Sequence, residues 1–360
     1  MRNKNKTDWK QKNSFEDFLS SNLFIQKYFW RVLRAYSLYT RQLNFDILTL
    51  INYYILRKRG LKKIAIKDPL IIVPSTICTA KCIFCAYRLI NDKKKIMDFD
   101  IFKKAVDEFA KLGGKQISFT PTVGEALTDP GIFEKIKYAH KKGLFTSLFS
   151  NCTLLNSNKN VDKIISSGID FLVISIGDIK PDIESKIFGI SEEVAKSKIE
   201  GIFSLINKKY ETNAKFKLII GFRARRKLID ILNDIKKSAI GKFYNKGVFE
   251  IRLLYGYDNW GGMIKQSDLS GVQKLRKNVK LKLYPCNNLY LLSILPEGKI
   301  RLCGCRVKRT LYDSLIIGDL KKENLQDLLH SKKWLNIIKD FKKGKYPEVC
   351  QDCSMYAPKI

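Results

Sequence analysis

Apolar residues recur along this chain with two periods, and their pattern changes near residue 70. From Leu70 onward, short apolar runs alternate with longer stretches whose apolar residues fall three and four apart. The runs at 70–74, 116–120, 145–150, 170–176, 215–221 and 248–254 predict strands. The intervals at 98–112, 131–142, 158–167, 192–209 and 228–238 predict helices. Such alternation builds parallel βαβ units, and on periodicity alone six of them suit an open barrel or a doubly wound sheet equally. Past residue 280 the rhythm stops. Runs at 289–295 and 300–303, joined by Pro296-Glu297-Gly298-Lys299, read as a hairpin, and helices are expected at 322–330 and 331–343.

Before residue 69 the pattern differs. Phe18, Leu23, Phe24, Tyr28, Phe29, Leu33, Tyr36 and Leu38 fall at helical spacing. The most apolar run, 45–56, is followed by Arg57-Lys58-Arg59 and is too short to cross a bilayer, which takes about 20 residues. A helical cap on the main domain is expected; the alternative is an interfacial helix giving peripheral contact with an anionic membrane. The expected division is a helical basic extension at 1–68, a core at 69–262 and a Cys-rich β-hairpin/helix domain at 263–360.

The balance of 67 Lys and Arg against 35 Asp and Glu gives a net charge of +32, which raises the question of a nucleic-acid or membrane partner. The basic residues are spread along the chain among abundant Asn and Ile, the mark of compositional bias. No nucleic-acid partner is therefore expected, and anionic substrates are a secondary pull. Nine cysteines is an odd count, unlike a secreted disulfide framework. Met1-Arg2-Asn3-Lys4-Asn5-Lys6 leads into polar sequence rather than a secretory signal, so a reducing cytoplasm is the expected setting.

Three of those cysteines, Cys78, Cys82 and Cys85, sit at C-x3-C-x2-C spacing just after the first predicted strand. A zinc site wants four ligands, and the chain holds only two histidines, His140 and His330. Three thiolates suit a four-iron cubane better, because they leave the fourth iron open to a small molecule. A Cys-x3-Cys-x-aromatic-Cys loop at this place, with Phe84 as the aromatic, resembles the cluster motif of the radical S-adenosylmethionine (SAM) enzymes.

The resemblance implies a partial (βα)6 TIM-like barrel and assigns roles to the later strand ends. Thr122-Val123-Gly124-Glu125 resembles the family's Gly-Gly-Glu-like turn, which meets the methionine amino group of SAM, although Val123 replaces the first glycine. Ser150-Asn151-Cys152-Thr153-Leu154 resembles a Thr-Asn-Gly-Thr-Leu segment, with Cys152 where glycine is usual. Ser175 and Asp178 fall at the ribose-contacting strand end, and Gly221 on the strand that flanks the adenine.

Near the C-terminus, Cys286, Cys303, Cys350 and Cys353 form a second set, four thiols able to bind zinc or an iron–sulfur cluster; spacing leaves both open. Their arrangement resembles the SPASM domain in its shortened "twitch" form, which implies a second, auxiliary [4Fe–4S] cluster. The implied chemistry is reductive cleavage of SAM at the first [4Fe–4S] cluster, fed by a flavodoxin- or ferredoxin-type electron donor. The 5′-deoxyadenosyl radical so formed would abstract a substrate hydrogen atom. Oxidation or epimerisation of a sugar, aminocyclitol or glycan is the expected outcome, with peptide modification the alternative. A basic metal-binding module touching RNA or membrane without turnover is the opposing class. If the reaction is an epimerisation, a cysteine must return a hydrogen atom. Cys305, two residues beyond Cys303 and on the same face of a strand, or failing it Cys152, is the candidate; a structural thiol is the plainer reading of each.

Overall fold

The computed structural model describes residues 69–356 apart from 156, 157, 255, 277, 280, 281, 283, 305, 306 and 330. The helices expected in 1–68 lie outside the described residues, as do Cys305 and His330. Six parallel strands stand side by side in chain order: β1 (Leu70–Ile72), β2 (Gln116–Phe119), β3 (Phe145–Ser150), β4 (Phe171–Ile176), β5 (Lys217–Phe222) and β6 (Glu250–Leu253). Each neighbouring pair is parallel. A doubly wound sheet reverses its order partway, and this one does not. The open-barrel arrangement is therefore the one the chain adopts.

Helices α1 (Phe99–Lys111), α2 (Ile132–Lys141), α3 (Asn158–Ser166), α4 (Pro181–Phe188), α5 (Glu192–Glu211) and α6 (Leu228–Lys237) fill the crossovers. α1 shows why they form. Phe102, Ala105, Val106 and Phe109 make one buried stripe, joined in the core with Leu70, Ile72, Ile117 and Phe119 of the first two strands. Burying a large apolar side chain of this kind contributes about 1.5–3 kcal/mol. The apolar pattern gives no warning of α4, whose eight residues bury Glu184 beside Ile187 and Phe188. A charge on the inner face interrupts the signal.

Strand alternation divides the sheet into two faces. Leu148, Leu172, Ile174, Ile176, Leu218, Ile220 and Phe222 pack into the helix-side core. Ser147, Phe149, Val173, Ser175, Ile219 and Gly221 consequently face the opposite, concave side.

Past β6 the chain returns to the same sheet. β7 (Leu292–Ile294) pairs parallel to β1, with Ile71 opposite Ser293, and continues antiparallel into β8 (Lys299–Leu302) and β9 (Ile316–Asp319). The described sheet thus has nine strands, with β7 on the edge of β1 that a closed barrel would need for β6. Two expectations for this part change. Residues Asn287–Tyr290 form a 3-10 turn, so the first hairpin strand begins later than 289. β8 stops at Leu302, because Cys303 takes a left-handed φ of 61°, so the second hairpin strand ends one residue before the expected 303. Two further helices follow, α7 (Lys332–Lys342) and α8 (Glu348–Gln351), while the helix expected at 322–330 shortens to Leu325–Leu328. Among the described residues no helix is long and apolar enough to cross a membrane.

Candidate functional site

Parallel strands carry all their C-terminal loops to one end, and the singled-out residues gather there. The Cys78–Cys85 loop leaves β1 and is pinned from outside. The Lys81 and Ile83 amides donate to the carbonyls of Phe188 (2.9 Å) and Ile187 (3.1 Å), at the last turn of α4. Gly189, at φ 60°, makes this approach possible, since a Cβ there would lie 2.5 Å from the Lys81 carbonyl oxygen. Inside the loop, the Cys85 amide donates to the Cys82 carbonyl (3.1 Å) and the Cys78 amide to the Tyr87 hydroxyl (3.0 Å).

The three sulfurs share one neighbourhood. Cys82 is buried, and Cys78 and Cys85 are half-buried. Burial above all pushes the Cys78 thiol up to about 12, with the charges of Glu125 and Cys85 adding to it. Burial raises Cys82 and Cys85 as well, Cys82 also through its neighbours Cys85 and Cys78. Donors already point at the sulfurs: the Tyr87 amide at Cys85 Sγ (3.4 Å) and Asn151 Nδ2 at Cys78 Sγ (3.6 Å). Iron bound in this buried loop would displace the thiol protons, and the donors around the sulfurs suit the thiolate form that would remain.

The β2 exit turn lies against this loop. Gly124 has φ 135°, and a Cβ on it would collide with the Ser75 carbonyl oxygen. Val123, in place of a glycine, is buried with Val73, Ala86 and Leu295, so a side chain has a core to enter there. The Glu125 amide donates to the Ile77 carbonyl (2.7 Å), which fastens the turn to the residue before Cys78. The Glu125 carboxylate is only 2% exposed. It accepts from the Ser150 hydroxyl (2.6 Å), the Leu127 amide (3.0 Å) and the Asn151 amide (2.7 Å). Burial nonetheless holds its carboxyl above the usual range against those bonds. Asn151 joins both parts, its side chain reaching Cys78 and the Thr79 hydroxyl (3.4 Å).

Other singled-out residues fall into different surroundings. Cys152 has φ 58°, a left-handed conformation that favours glycine, and its thiol is wholly buried, pushed up to about 12 by burial first and Glu125 second. Asp178 is buried and gives both oxygens to Arg226 (2.7 Å each), so it serves the loop's architecture rather than standing open at the strand end. Ser175 and Gly221 are register partners on the concave face, where a Cβ on Gly221 would sit 3.3 Å from the Ile174 carbonyl oxygen. Phe84 packs edge-on to Phe188 and against Tyr257.

Several residues of the site escape a reading by pattern. Lys198 pairs with Glu184 at 0% exposure, and Glu184 also accepts the Gly177 (2.6 Å) and Asp178 (2.9 Å) amides. The available signal was a lysine on the apolar stripe of α5, between Ala195 and Ile202. Arg223 lies over the Phe84 ring (5.3 Å) with a buried Nε that has no hydrogen-bond partner, near Cys82 and Cys85. Trp260 donates its indole N–H to the Phe84 carbonyl (2.9 Å). Its neighbour Asn259 donates its amide to the Ser354 hydroxyl (3.0 Å) and its side-chain nitrogen to the Asp352 carbonyl (2.6 Å). These two residues tie the first cysteine loop to the last one.

The four C-terminal thiols meet around a single cavity. Cys286, Cys303, Cys350 and Cys353 line it together with Lys282, Leu289, Phe341 and Tyr356. Burial raises Cys350, and the other three thiols add to the effect. Among the described residues no three His, Cys, Asp or Glu side chains converge tightly enough to chelate a lone metal ion. Four thiols spaced around a cavity fit a multi-iron group held at its corners, and the three-thiol loop beside Arg223 fits a second anionic group.

Residues 72–212 match the family model described as the radical SAM superfamily, and residues 286–354 the SPASM model, an iron–sulfur cluster-binding domain. Among curated proteins, the PqqA peptide cyclase of Ruegeria pomeroyi is 28% identical over 113 residues, 31% of this chain and 29% of that protein. The tungsten-containing aldehyde ferredoxin oxidoreductase cofactor-modifying protein of Pyrococcus furiosus is 23% identical over 110 residues, 31% of this chain and 30% of that one. The match thus spans less than a third of either relative. The structure of Streptococcus suis SuiB bound to precursor peptide SuiA covers 84% of this chain and 74% of its own, with a TM-score of 0.53 and 16% identity, a likeness of fold.

Proposed function

From the premise that the chain is a radical SAM enzyme with a C-terminal SPASM domain, we propose that it modifies a peptide, with Cys78, Cys82 and Cys85 holding the SAM-binding cluster and Cys286, Cys303, Cys350 and Cys353 the auxiliary one. The observation that carries the site assignment is the chain of contacts from Glu125 through Asn151 to Cys78, which places a buried carboxylate beside a three-thiol loop. The peptide as substrate class is favoured by the curated relatives, two of which are PqqA peptide cyclases. They favour it over the sugar or aminocyclitol expected at first.

When bound, the cluster and SAM would supply radical chemistry able to take a hydrogen atom from the substrate. The protein supplies position and shelter. Glu125, locked by Ser150, Leu127 and Asn151, keeps lone-pair capacity for the SAM ammonium in a site where burial makes a charged partner worth more. Arg223, with its orphaned Nε, has the charge and donors for an anionic group beside the cysteine loop. Gly221 and Ser175 leave the concave face low where a nucleoside would lie. Pinning of the loop to α4 and of Trp260 to Phe84 holds the three thiols in place.

The test is anaerobic incubation of the reduced, reconstituted protein with SAM and short peptides encoded beside its gene, followed by mass spectrometry. A SAM-dependent mass change in one peptide is the expected result. Turnover of a sugar or aminocyclitol, with every such peptide unchanged, would overturn the peptide reading and leave the radical SAM assignment standing.

A further inference from the structure

Lys282 is a lysine in a place where lysines are rare. It is 3% exposed and forms part of the wall of the cavity that the four C-terminal thiols line. Its ammonium donates to the Gln351 carbonyl oxygen (2.9 Å), a residue inside the Cys350–Cys353 segment, and lies 5.6 Å from the Tyr346 ring centre. No carboxylate among the described residues is within ion-pair distance of it. A buried ammonium has three hydrogens to place, and leaving its charge unanswered costs several kcal/mol.

The second buried cation of this region makes the contrast. Arg301 is fully buried next to Cys303, but Asp313 answers it at 2.7 Å, and its guanidinium also donates to the Cys303 carbonyl oxygen. The Arg301 charge is thus balanced by the protein itself. The Lys282 charge has no such ion pair; burial works against it, and the groups whose charges favour it are, largest first, the Cys353 and Cys350 thiols, the Asp352 carboxylate and the Cys286 thiol.

We propose that Lys282 is the charge partner of the C-terminal iron–sulfur centre and tunes its reduction potential upward, an inference that rests on that centre being an iron–sulfur cluster. Four thiolates around a four-iron core leave a net negative charge, and adding one electron increases it. An ammonium fixed in the wall of a low-dielectric cavity stabilises the more negative, reduced form in preference to the oxidised one. Its remaining N–H groups also favour the electron-rich form, as hydrogen bonds to cluster sulfurs do in setting cluster potentials. Lys282 thereby makes the centre a better electron acceptor while touching neither SAM nor substrate. It is a positioning residue for charge.

The experiment uses the full chain carrying Cys78→Ala, Cys82→Ala and Cys85→Ala, so that the C-terminal centre is observed alone. Iron, sulfide and zinc are assayed first; zinc without sulfide would remove the cluster reading itself, and the inference with it. With iron and sulfide present, a dithionite titration followed by electron paramagnetic resonance gives the midpoint potential. Lys282→Met is expected to lower the reduced-to-oxidised ratio at a fixed potential at least tenfold, a shift of about 59 mV for one electron. Lys282→Arg should stay near the parent. Loss of the centre in Lys282→Met but not in Lys282→Arg would support the same charge requirement. Equal potentials in Lys282→Met and the parent, or loss of the centre in both variants, would overturn the proposal.

Discussion

Glu125 is held by three donors before any ligand arrives, so its side chain is positioned in advance. If Glu125 has the role proposed for it, Glu125→Ala removes a charged partner of the SAM ammonium, worth about 1.5–3 kcal/mol, and should weaken SAM binding by roughly ten- to a hundredfold. Equilibrium binding to the reconstituted protein checks this, with iron content as the control; unchanged affinity at full iron would mean the turn has another role. At this scale the sequence was informative where backbone geometry forces a residue type. Gly124 is required by its φ of 135° and the Ser75 carbonyl, and its position after β2 made it visible. Asp178 was legible as a strand-end carboxylate but not as the partner of Arg226, 48 residues away. Arg223 and Lys282 carried no local signal, because each matters through neighbours that only the fold brings close.

At the scale of elements, α4 and the cysteine loop act as one device. Gly189 ends the helix in a left-handed turn whose Cβ-free surface accepts the Lys81 carbonyl. Gly189→Ala should cost about 1–2 kcal/mol for the backbone alone, plus the clash at 2.5 Å, and so loosen the loop. The expected readout is loss of iron from the N-terminal site with the C-terminal site still loaded, seen as roughly half the parental iron and sulfide; full iron in both sites would show that the loop holds without α4. The six strands and the helices α1, α2, α3, α5 and α6 could be read from periodicity to within a few residues, because apolar residues recur through each at the element's own period, even where Lys135 of α2 and Lys198 of α5 are buried among them. α4 could not, since its buried Glu184 answers Lys198 from another helix.

For the whole molecule, the informative feature is that the C-terminal hairpin continues the barrel sheet. β7 lies on β1, the strand that launches the cysteine loop, and Asn259-Trp260 ties the Cys353 segment to Phe84. The hairpin itself was readable from its turn, but its docking was not, because strand partners far apart in sequence leave no periodic trace. Two thiol sites on one continuous framework are the basis for reading the chain as a two-cluster enzyme. The most direct test of that claim is 5′-deoxyadenosine formed from SAM by the reduced, reconstituted protein, measured with its iron and sulfide. The account predicts 5′-deoxyadenosine and about eight iron per chain from two four-iron clusters. It also predicts half the iron and no 5′-deoxyadenosine once Cys78, Cys82 and Cys85 are replaced by Ala. Zinc without sulfide in the parent, or SAM cleavage undiminished in that triple variant, would contradict it.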